Sequence, residues 1–512
     1  MTRVVLNQLG SRVWELCDGK RSVLDIVSEL RAGSDFQLPC DQVLISDVCQ
    51  FLSQAQDHWL ILANEYQPAD FLFVVPPFPS TYSPEAVKVA EYSSPPLGLC
   101  YMAAVLAENG HKVAIADMHI DVLEPGDIIR LLEKYRPRFL GISASTPTFT
   151  NAIRVARFAK AFSPELVTAL GGIHPSALPD EALSESSVDL VVRGEGEEAM
   201  RELAARLADS SFEIPHDPIP GVSLRAPDGS IRHGPQRDFI DDLDSLPFPA
   251  RQLVDLSKYQ QPGAMISSRG CPAKCVFCSC GSFSGRKWRA RSPENVVDEI
   301  EYMVEVLGIR RISFHDDTFN LSEQRLRAIC ELLLVRNVDV QWDCLARVTP
   351  MTVELARLMR QAGCCGIQFG IESGNQEVLR SICKGITLRQ AECAVRAAVK
   401  AGIPQISCGF MLGHPADTPE SIADTIEFAE HLRNLGATTL TLSLVTPYPG
   451  TPIAENASDL GIEILSDNWE DYVFSRLVAH PKGLNVETLR ASYCTGLERI
   501  HAEFPPGLLE AQ

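Results

Sequence analysis

The chain has 512 residues, of which 45% are hydrophobic and 22% are charged, and its formal net charge is −20. This length predicts about three globular domains, and the acidic balance disfavours broad binding to nucleic acid or anionic membranes, which select basic surfaces. No apolar run of about 18 residues predicts a membrane span, and the first residues lack the apolar core of a signal peptide. Sixteen cysteines without a secretory signal favour a reducing cytoplasm over a disulfide framework.

Residues 1–65 are predicted to form a small, mostly helical domain. A short apolar strand at 4–6 precedes three helices, which begin near Asn7, Ser22 and Cys40. Asparagine and serine favour helix starts, and the apolar residues after Ser22 recur at helical spacing.

Residues 70–210 alternate apolar strands with helices in five βα units. This pattern predicts an α/β fold of the Rossmann type, with a doubly wound parallel sheet whose ligands bind at the carboxyl ends of the strands. The small or polar residues predicted at those ends are Ser143, Ser145, Thr146, Gly171, Gly172, His174, Gly194 and Glu195. Glycines at such positions allow the backbone to approach a large flat ligand closely.

The remainder of the chain is predicted to hold a second α/β domain. Residues 211–262 are rich in proline and are interpreted as a linker with one hairpin signal at Pro227-Asp228-Gly229. Residues 263–450 repeat six strand–helix units, which predicts a partial (β/α)6 barrel of the TIM type, and residues 451–512 are interpreted as a carboxyl-terminal cap. In such barrels the functional residues lie at the carboxyl ends of the strands, where this chain has the candidates Arg347, Glu372, Ser373 and Tyr448.

Three cysteines follow the first barrel strand with the spacing C-x3-C-x2-C. They are Cys271, Cys275 and Cys278, and Phe277 stands immediately before the third. A structural zinc site closes four ligands, usually from C-x2-C pairs, whereas three closely spaced thiolates can hold a cubane and leave one iron without a protein ligand. The motif therefore predicts a [4Fe–4S] cluster with one open iron. Cys280 is interpreted as a bystander, because the three-cysteine spacing is complete without it.

This cysteine motif resembles the signature of the radical S-adenosylmethionine (SAM) enzymes. The resemblance implies that the open iron binds the amino and carboxylate groups of SAM and that Phe277 lies by the adenine. Glu372, in a Gly-Ile-Glu-Ser segment, resembles the SAM-contacting acid of the family, and Ser373 is expected to bind the same ligand. Arg347 can pair with the SAM carboxylate, because guanidinium and carboxylate match as a fork.

The upstream α/β domain resembles the cobalamin-binding domain of the cobalamin-dependent radical SAM enzymes. The matching segments include Pro76-Pro77, Gly171-Gly172-x-His174 and Arg193-Gly194-Glu195-Gly196, so the strand-end residues named above are expected to bind cobalamin. Other cobalamin domains donate a histidine to cobalt from a D-x-H-x-x-G loop after the first strand. The loop at 76–79 has no histidine, and His119, after the second strand, lacks the glycine and is interpreted as a loop residue. We therefore predict base-off cobalamin without a histidine ligand, with His174 at the corrin rim.

Residues 1–65 resemble the PqqD-like domains, which bind leader peptides of ribosomally made peptides by adding a strand to a sheet edge. Such domains usually have two more strands before this point, so a truncated docking edge is expected. Leader binding and a purely structural role both remain open for this domain.

Together the resemblances imply a cytoplasmic, cobalamin-dependent radical SAM C-methyltransferase that acts on an unactivated carbon of a peptide or natural-product precursor. One SAM would provide the methyl group through cobalamin and another would be cleaved reductively, with electrons from an external low-potential donor of the flavodoxin or ferredoxin type. Tyr448 lies in a Pro-Tyr-Pro-Gly-Thr segment that resembles one of the family and is the catalytic candidate, expected to face the substrate. The alternative is that the prolines of this segment only shape a turn. Two alternatives stay open: a cyclase or rearrangement enzyme that transfers no methyl group, and a cobalamin or iron–sulfur sensor without turnover. No nucleic acid or membrane partner is expected.

Overall fold

The computed structural model describes residues 67–79, 93–209, 217–226 and 228–500, together with a few positions nearer the amino terminus. Val13, Ile26 and Val48 are buried helical residues, and each falls in one of the three helices predicted for the amino-terminal domain. Apart from helical residues 28–30, the rest of that predicted domain lies outside the described residues. The described chain divides into two compact units, and none of its helices is long and apolar enough to cross a membrane.

The first unit is built on a sheet of seven described strands. These are β1 (Phe71–Val75), β2 (Val113–Asp117), β3 (Phe139–Ser143), β4 (Val167–Gly171), β5 (Leu190–Val192), β6 (Val222–Arg225) and β7 (Ile231–His233). Their order across the sheet is β2-β1-β3-β4-β5-β6-β7, and β1 to β5 pair in parallel. The parallel strands are nearly continuous apolar runs, as expected for strands that are covered on both faces. The predicted doubly wound domain is confirmed.

Helices connect the parallel strands of this sheet. They are α1 (Leu97–Glu108), α2 (Ile128–Tyr135), α3 (Phe149–Phe162), α4 (Ile173–Ala177), α5 (Pro179–Ser184) and α6 (Glu197–Asp209). Each crossover returns the chain to the amino end of the next parallel strand, so the loops after β1, β3, β4 and β5 all emerge at one edge of the sheet. We call this edge, formed by residues 76–79, 144–148, 172–176 and 193–196, the strand-end edge.

The region predicted as a linker is partly folded into this sheet. Strands β6 and β7 form an antiparallel hairpin, and β6 pairs antiparallel with β5. The hairpin signal identified the turn, where Gly229 has a φ of +83°. The sheet membership was missed because β6 and β7 have only four and three residues between proline-rich flanks, too few to show a strand period.

The second unit is a partial barrel of six parallel strands, as predicted. These strands are β8 (Ala264–Met265), β11 (Arg311–Phe314), β12 (Gln341–Ala346), β13 (Cys364–Glu372), β14 (Gln405–Leu412) and β15 (Thr439–Leu444). Their order is β15-β14-β13-β12-β11-β8. Two small antiparallel pairs accompany the barrel, namely β9 (Ser268–Arg269) with β10 (Arg289–Ala290) and β16 (Ile462–Ile464) with β17 (Ala479–Pro481).

Capped helices follow the barrel strands. The helices of this unit are α7 (Cys280–Phe283), α8 (Pro293–Glu305), α9 (Glu323–Val335), α10 (Val353–Gln361), α11 (Gln376–Ser381), α12 (Leu388–Ala401), α13 (Pro419–Asn434), α14 (Pro452–Glu455) and α15 (Val486–Ile500). Short 3-10 turns occur at Pro125–Asp127, Leu243–Ser245, Arg251–Leu253, Leu256–Lys258 and Trp469–Asp471. A Ser or Thr side chain accepts a backbone N–H at the start of many of these helices, which fixes where each begins. These caps are Ser292, Ser322, Thr352, Thr387, Thr418 and Thr451.

The two faces of the barrel sheet differ in polarity. On the outer face, Phe314, Trp342 and Phe369 are buried and form a core with the helices. The Trp342 indole donates to the carbonyl of Ala362 at 2.7 Å. On the inner face, residues such as Gln368 and Thr441 are exposed. This alternation is typical of barrel strands, whose successive side chains point to opposite faces.

Candidate active site

The three cysteines lie on a loop that begins at the end of β9. Gly270, just before Cys271, has a φ of +84°, and a Cβ there would lie 2.3 Å from the carbonyl oxygen of Lys287. No other residue type fits without displacing this backbone. The Cys271 N–H donates to the carbonyl of Gly285 at 3.1 Å, and the Cys278 N–H donates to that of Cys275 at 3.3 Å. The loop is thus held by its own backbone.

Two adjacent aspartates at the end of β11 brace this loop from beneath. Asp316 is fully buried, and its carboxylate accepts from the N–H and the hydroxyl of Ser267, both at 2.7 Å, and from the hydroxyl of Ser268. Asp317 accepts from the Gly270 N–H at 2.8 Å. Burial raises the pKa of Asp316, while the nearby Arg325 and the hydrogen bonds act in the opposite direction. The two aspartates therefore anchor the cysteine loop.

A buried ion triad supports the same region. The Glu299 carboxylate lies between the guanidinium groups of Arg251, at 2.5 Å, and Arg291. Arg251 also donates to the carbonyl of Ala264 at 2.7 Å, and Arg291 donates to that of Ile266 at 3.2 Å. These carbonyls flank Met265 at the end of β8, so the triad fixes the backbone that leads into the cysteine loop.

Burial and neighbouring groups act in opposite directions on the pKa of two of the cysteine thiols. Burial raises the pKa of the thiols of Cys275 and Cys278; the charges of Lys384 and Arg347 oppose this at Cys275, and the Cys280 N–H opposes it at Cys278. In the described part of the chain, no group of three or more His, Cys, Asp or Glu side chains converges closely enough to hold one ion. A cubane does not need that convergence, because each thiolate binds a different iron.

An ion pair stands beside Cys275. Glu372 ends β13 in the left-handed region, with a φ of +77°, and the strand register shifts between Gly370 and Glu372. Such irregularities often re-aim a side chain next to an active site. The Glu372 carboxylate accepts from the Lys384 ammonium at 2.7 Å, and a Cβ on Gly370 would lie 2.6 Å from Glu372 Oε1. The glycine therefore leaves room for this pair.

Arg347 joins the same cluster of charges. Its guanidinium donates to the carbonyl of Lys384 at 3.1 Å. Asn320, which is fully buried, accepts from the Arg347 N–H at 2.8 Å and donates to the Arg347 carbonyl at 2.8 Å. The structure thus brings Arg347, Glu372 and the cysteine loop together. Lys384 and Asn320 were missed from sequence, because both lie in loops rather than at a strand end.

The other predicted residues of this site have protein partners. The ring of Phe277 lies 5.7 Å from that of the buried His414. The buried Ser373 hydroxyl lies 3.1 Å from that of Thr425 and accepts from the Asn375 N–H at 3.1 Å. The Tyr448 hydroxyl donates to the carbonyl of Tyr472 at 3.0 Å, and its ring packs edge-on against Phe474.

In the first unit, the predicted cobalamin residues meet at the strand-end edge. Gly172 has a φ of +97°, and a Cβ there would lie 2.6 Å from the Ala144 carbonyl oxygen. At Gly194, in contrast, a Cβ would have no other atom within 4 Å. Ser176 connects these loops, because its hydroxyl donates to the Gly172 carbonyl at 2.7 Å and accepts from the Gly194 N–H at 2.9 Å. Ser176 was not identified from sequence, since a serine in a short helix has no distinguishing pattern.

The polar residues of the strand-end edge are tied to each other. The Ser145 and Thr148 hydroxyls lie 3.0 Å apart. His174 is buried, with Nδ1 3.3 Å from the Thr146 hydroxyl and its ring 4.2 Å from that of Phe149. Burial lowers the pKa of His174 to about 4, so its imidazole is neutral at pH 7.

His119, interpreted from sequence as a loop residue, packs within the first unit. Its Nδ1 accepts from the Phe78 N–H at 3.4 Å, and the two rings lie 5.4 Å apart. Ser143 and Gly171 end the paired strands β3 and β4 opposite each other, and Glu195 lies in the loop after β5. The glycines and hydroxyl groups of this edge allow the backbone to approach closely, which fits a large flat cofactor.

Three family models match the chain in order. The model for coenzyme PQQ synthesis protein D (PqqD) matches residues 2–61, the B12 binding domain matches residues 86–204, and the radical SAM superfamily matches residues 265–429. These matches fall within the predicted domains.

Several curated relatives match across both units. The chain is 34% identical over 406 residues to an uncharacterized methyltransferase, PH0819, of Pyrococcus horikoshii, covering 78% of this chain and 85% of the relative. It is 28% identical over 401 residues to the anaerobic magnesium-protoporphyrin IX monomethyl ester cyclase of Rubrivivax gelatinosus, covering 76% and 71%. It is 27% identical over 418 residues to the cytidylyl-2-hydroxyethylphosphonate methyltransferase of Streptomyces wedmorensis, covering 70% and 77%.

Solved structures share the fold. The radical SAM methyltransferase TsrM of Kitasatospora setae, solved with cobalamin and a [4Fe–4S] cluster bound, superposes with a TM-score of 0.65 at 18% identity, covering 86% of this chain and 89% of that one. The cobalamin-dependent SAM radical enzyme OxsB, solved with aqua-cobalamin, gives 0.66 at 17% identity, covering 92% and 71%. Given the Pyrococcus relative and the ordered domain matches, the chain belongs to the cobalamin-dependent radical SAM methyltransferases, enzymes that join a B12-binding domain to a radical SAM domain.

Proposed function

We propose that this enzyme transfers a methyl group to an unactivated carbon of a peptide or natural-product precursor, using a [4Fe–4S] cluster, SAM and cobalamin. The observation that carries the proposal is the arrangement around Cys275, where a cysteine loop braced by Asp316 meets Glu372, Lys384 and Arg347. When bound, the cluster and SAM would provide a 5′-deoxyadenosyl radical, and cobalamin would provide the methyl group.

Within this proposal, Cys271, Cys275 and Cys278 hold the cluster, and the charged residues beside them orient SAM. Lys384 and Arg347 supply the cations that a SAM carboxylate requires. Glu372 accepts hydrogen bonds from the amino group or the ribose hydroxyls.

Three residues act at the margins of this SAM site. Phe277 packs beside the adenine. Ser373 fixes the turn after Glu372 through its bond to Asn375. Tyr448 shapes the substrate side with its ring, because its hydroxyl is bonded to Tyr472.

Cobalamin is proposed to bind at the strand-end edge in the base-off form. Gly171, Gly172 and Gly194 would approach the corrin with their backbone, and Ser143, Ser145, Thr146 and Glu195 would supply hydrogen bonds. No histidine is proposed as a cobalt ligand, because His119 bonds to the loop after β1 and His174 is packed against Phe149. His174 is proposed to contact the corrin rim instead.

The PqqD match supports a peptide as the substrate, since such domains bind leader peptides. An external electron donor of the flavodoxin or ferredoxin type would supply the reducing electron. Three relatives are magnesium-protoporphyrin IX monomethyl ester cyclases, so cyclisation without methyl transfer is the second candidate. Five relatives carry methyltransferase or methylase names, and on this basis we favour methyl transfer.

Anaerobic reconstitution tests the proposal. The full chain would be loaded with iron, sulfide and cobalamin and incubated with SAM carrying a deuterated methyl group, a low-potential reductant, and the peptide or metabolite encoded beside its gene. Mass spectrometry would follow the substrate, 5′-deoxyadenosine and S-adenosylhomocysteine together. We expect a deuterated methyl group in the product, with both SAM by-products.

The alternative outcomes are distinct. Formation of 5′-deoxyadenosine and a changed substrate without the label would support the cyclase candidate. Absence of both by-products from an enzyme with full iron and cobalamin content would contradict any catalytic role.

A further inference from the structure

The inner face of the barrel carries a band of neutral side chains. We define the inner wall as Leu345 on β12, Gln368 on β13, Ser407 on β14 and Thr441 on β15. On β13 the alternate residues Ile367 and Phe369 are buried in the outer core, whereas Gln368 is exposed. The inner wall therefore faces the barrel interior rather than the helices.

Strand register places these side chains at adjacent levels. Leu345 pairs with Gln368, which pairs with Ser407 on β14. One level higher, Gly370 pairs with Gly409, which pairs with Thr441. A Cβ on Gly409 would have the Thr441 hydroxyl at 3.4 Å as its nearest neighbour. The glycines thus keep the interior open at the level of Thr441, next to the Glu372–Lys384 pair.

The polar groups of the inner wall are available to a ligand. Gln368 and Thr441 are exposed and Ser407 is half-buried. In the described part of the chain, their amide and hydroxyl groups have no hydrogen-bond partner. Together they offer donors and acceptors but no charge.

Charges near the inner wall are already engaged. Below it, at the amino end of the strands, Arg311 lies 3.6 Å from the Asp343 carboxylate and donates to Gln405 at 3.2 Å. Above it, Lys384 is paired with Glu372 at 2.7 Å and Arg347 donates to the Lys384 carbonyl at 3.1 Å, and the proposed function assigns both cations to the SAM carboxylate. A phosphate or carboxylate beside the inner wall would therefore lack an uncommitted cation, and an ion held without a partner is costly. A wholly apolar group would leave the three polar side chains without bonds.

We infer that the substrate group entering the barrel is uncharged and bears amide or hydroxyl groups, as an internal stretch of peptide does, and that Gln368, Ser407 and Thr441 select it. This inference rests on the proposed function and deepens it, because it assigns a chemical class to the substrate of the same site. Backbone amides present both donors and acceptors, which matches the mixed character of the inner wall.

The test uses the reconstituted full-length enzyme and three acetylated, amidated pentapeptides. They carry serine, phosphoserine or leucine at the centre and are otherwise identical. Equilibrium dialysis with mass-spectrometric detection would measure their affinities. We expect the serine peptide to bind at least tenfold more tightly than the phosphoserine peptide and more tightly than the leucine peptide.

Variants locate the selectivity. Gln368→Leu is expected to weaken the serine peptide by about 3- to 10-fold, the effect of one lost hydrogen bond. Gln368→Arg supplies the missing cation and is expected to favour the phosphoserine peptide. Gln324→Leu, an exposed glutamine on α9, is the matched control and should leave all three affinities unchanged.

The inference would be overturned if the phosphoserine or leucine peptide bound as tightly as the serine peptide in the wild type. An unchanged Gln368→Leu variant, or no binding of the serine peptide at all, would also overturn it. Cleavage of SAM by the wild-type enzyme without peptide reports on the proposed function separately. If the wild-type enzyme did not cleave SAM, the proposed function itself would be contradicted. If it cleaved SAM but the peptide result was negative, only this inference would be contradicted.

Discussion

The two cofactor regions of this chain are held in place by different kinds of interaction. In the second unit, acidic and basic side chains anchor the backbone: Asp316 and Asp317 brace the cysteine loop, and Glu299 lies between two arginines that bond to the backbone leading into it. At the strand-end edge of the first unit, neutral hydroxyl groups and backbone do the same work, as where Ser176 joins Gly172 to Gly194.

This difference matches the cofactors that the two regions are proposed to bind. SAM carries both positive and negative groups and must present one particular bond to the cluster, so charged side chains held in fixed positions suit it. Each such charge must be paired when it is buried, because an unpaired buried charge is costly. Cobalamin is large and flat, and contact over a wide area suits it better than a few point charges. Substitutions in each region test this difference.

The largest effect is expected at the cysteine loop. Cys278→Ala should abolish the cluster, because two thiolates from the loop remain where three are needed. Iron and sulfide analysis with the visible absorption spectrum would measure this, and SAM cleavage should become undetectable. Cys280→Ser is the matched control, since this buried neighbour is not proposed as a ligand, and it should keep the cluster. Equal cluster loss in both variants would contradict the assignment of Cys278.

The buried triad gives the next largest effect. Glu299→Ala leaves Arg251 and Arg291 buried without their carboxylate and should lower the free energy of unfolding of the second unit by about 3–5 kcal/mol. Urea unfolding followed by tryptophan fluorescence would report it, because Trp288, Trp342 and Trp469 lie in this unit.

Asp339→Ala is the control for that experiment. Its ion pair with Arg310 is exposed, so its removal should cost less than about 1 kcal/mol. If Glu299→Ala and Asp339→Ala lowered the free energy of unfolding equally, the claim that the buried triad stabilises this region would be contradicted.

The first unit should weaken in acid through His174. Its pKa of about 4 in the folded chain lies below the ordinary value of 6.5, so the unfolded chain binds the proton first. Stability present at pH 7 is therefore lost as the pH falls from about 6.5 to about 4, by roughly 2–3 kcal/mol near the lower end. Hydrogen exchange of peptides from β3 and β4, followed by mass spectrometry at pH 7 and 4.5, would measure this loss.

Substitution identifies the residue responsible. His174→Phe keeps the ring beside Phe149 and should remove most of the acid-induced loss. His233→Phe changes a more exposed histidine of the same unit and should retain it. An unchanged acid response in His174→Phe would show that another group controls this region.

The smallest effects on stability are expected at two glycines of the strand-end edge. Gly172→Ala should destabilise the first unit by about 2 kcal/mol. The residue has a positive φ, and a Cβ added there would lie 2.6 Å from the Ala144 carbonyl oxygen. Gly194→Ala has open space around it and should cost only about 1 kcal/mol through its positive φ. Thermal unfolding would compare them, and a larger loss for Gly194→Ala would contradict this reading of the edge.

Sequence predicted the features that local patterns encode. The five βα units, the six barrel strands and the C-x3-C-x2-C loop each follow from apolar periodicity or from the spacing of a few residues. Arg347 and Glu372 could also be selected, because the carboxyl end of a barrel strand is a position that sequence can identify.

The features that sequence missed depend on tertiary contacts. Lys384 reaches Glu372 from a loop 12 residues away, and Asn320 holds Arg347 from 27 residues away. Asp316 could be noticed as an acid at a strand end, but its bonds to Ser267 and Ser268 span almost 50 residues. No local pattern encodes such pairs.

The division between the two cofactor sites is tested most directly by the affinities of SAM and cobalamin in the wild type, in Lys384→Ala and in Gly194→Ala. We predict that Lys384→Ala weakens SAM binding by about tenfold or more, through loss of a charged partner, while cobalamin binding stays near that of the wild type. Gly194→Ala should weaken cobalamin and leave SAM binding nearly unchanged. If both variants weakened both cofactors alike, or if neither variant weakened either one, the division between a charge-built SAM site and a backbone-built cobalamin site would be wrong.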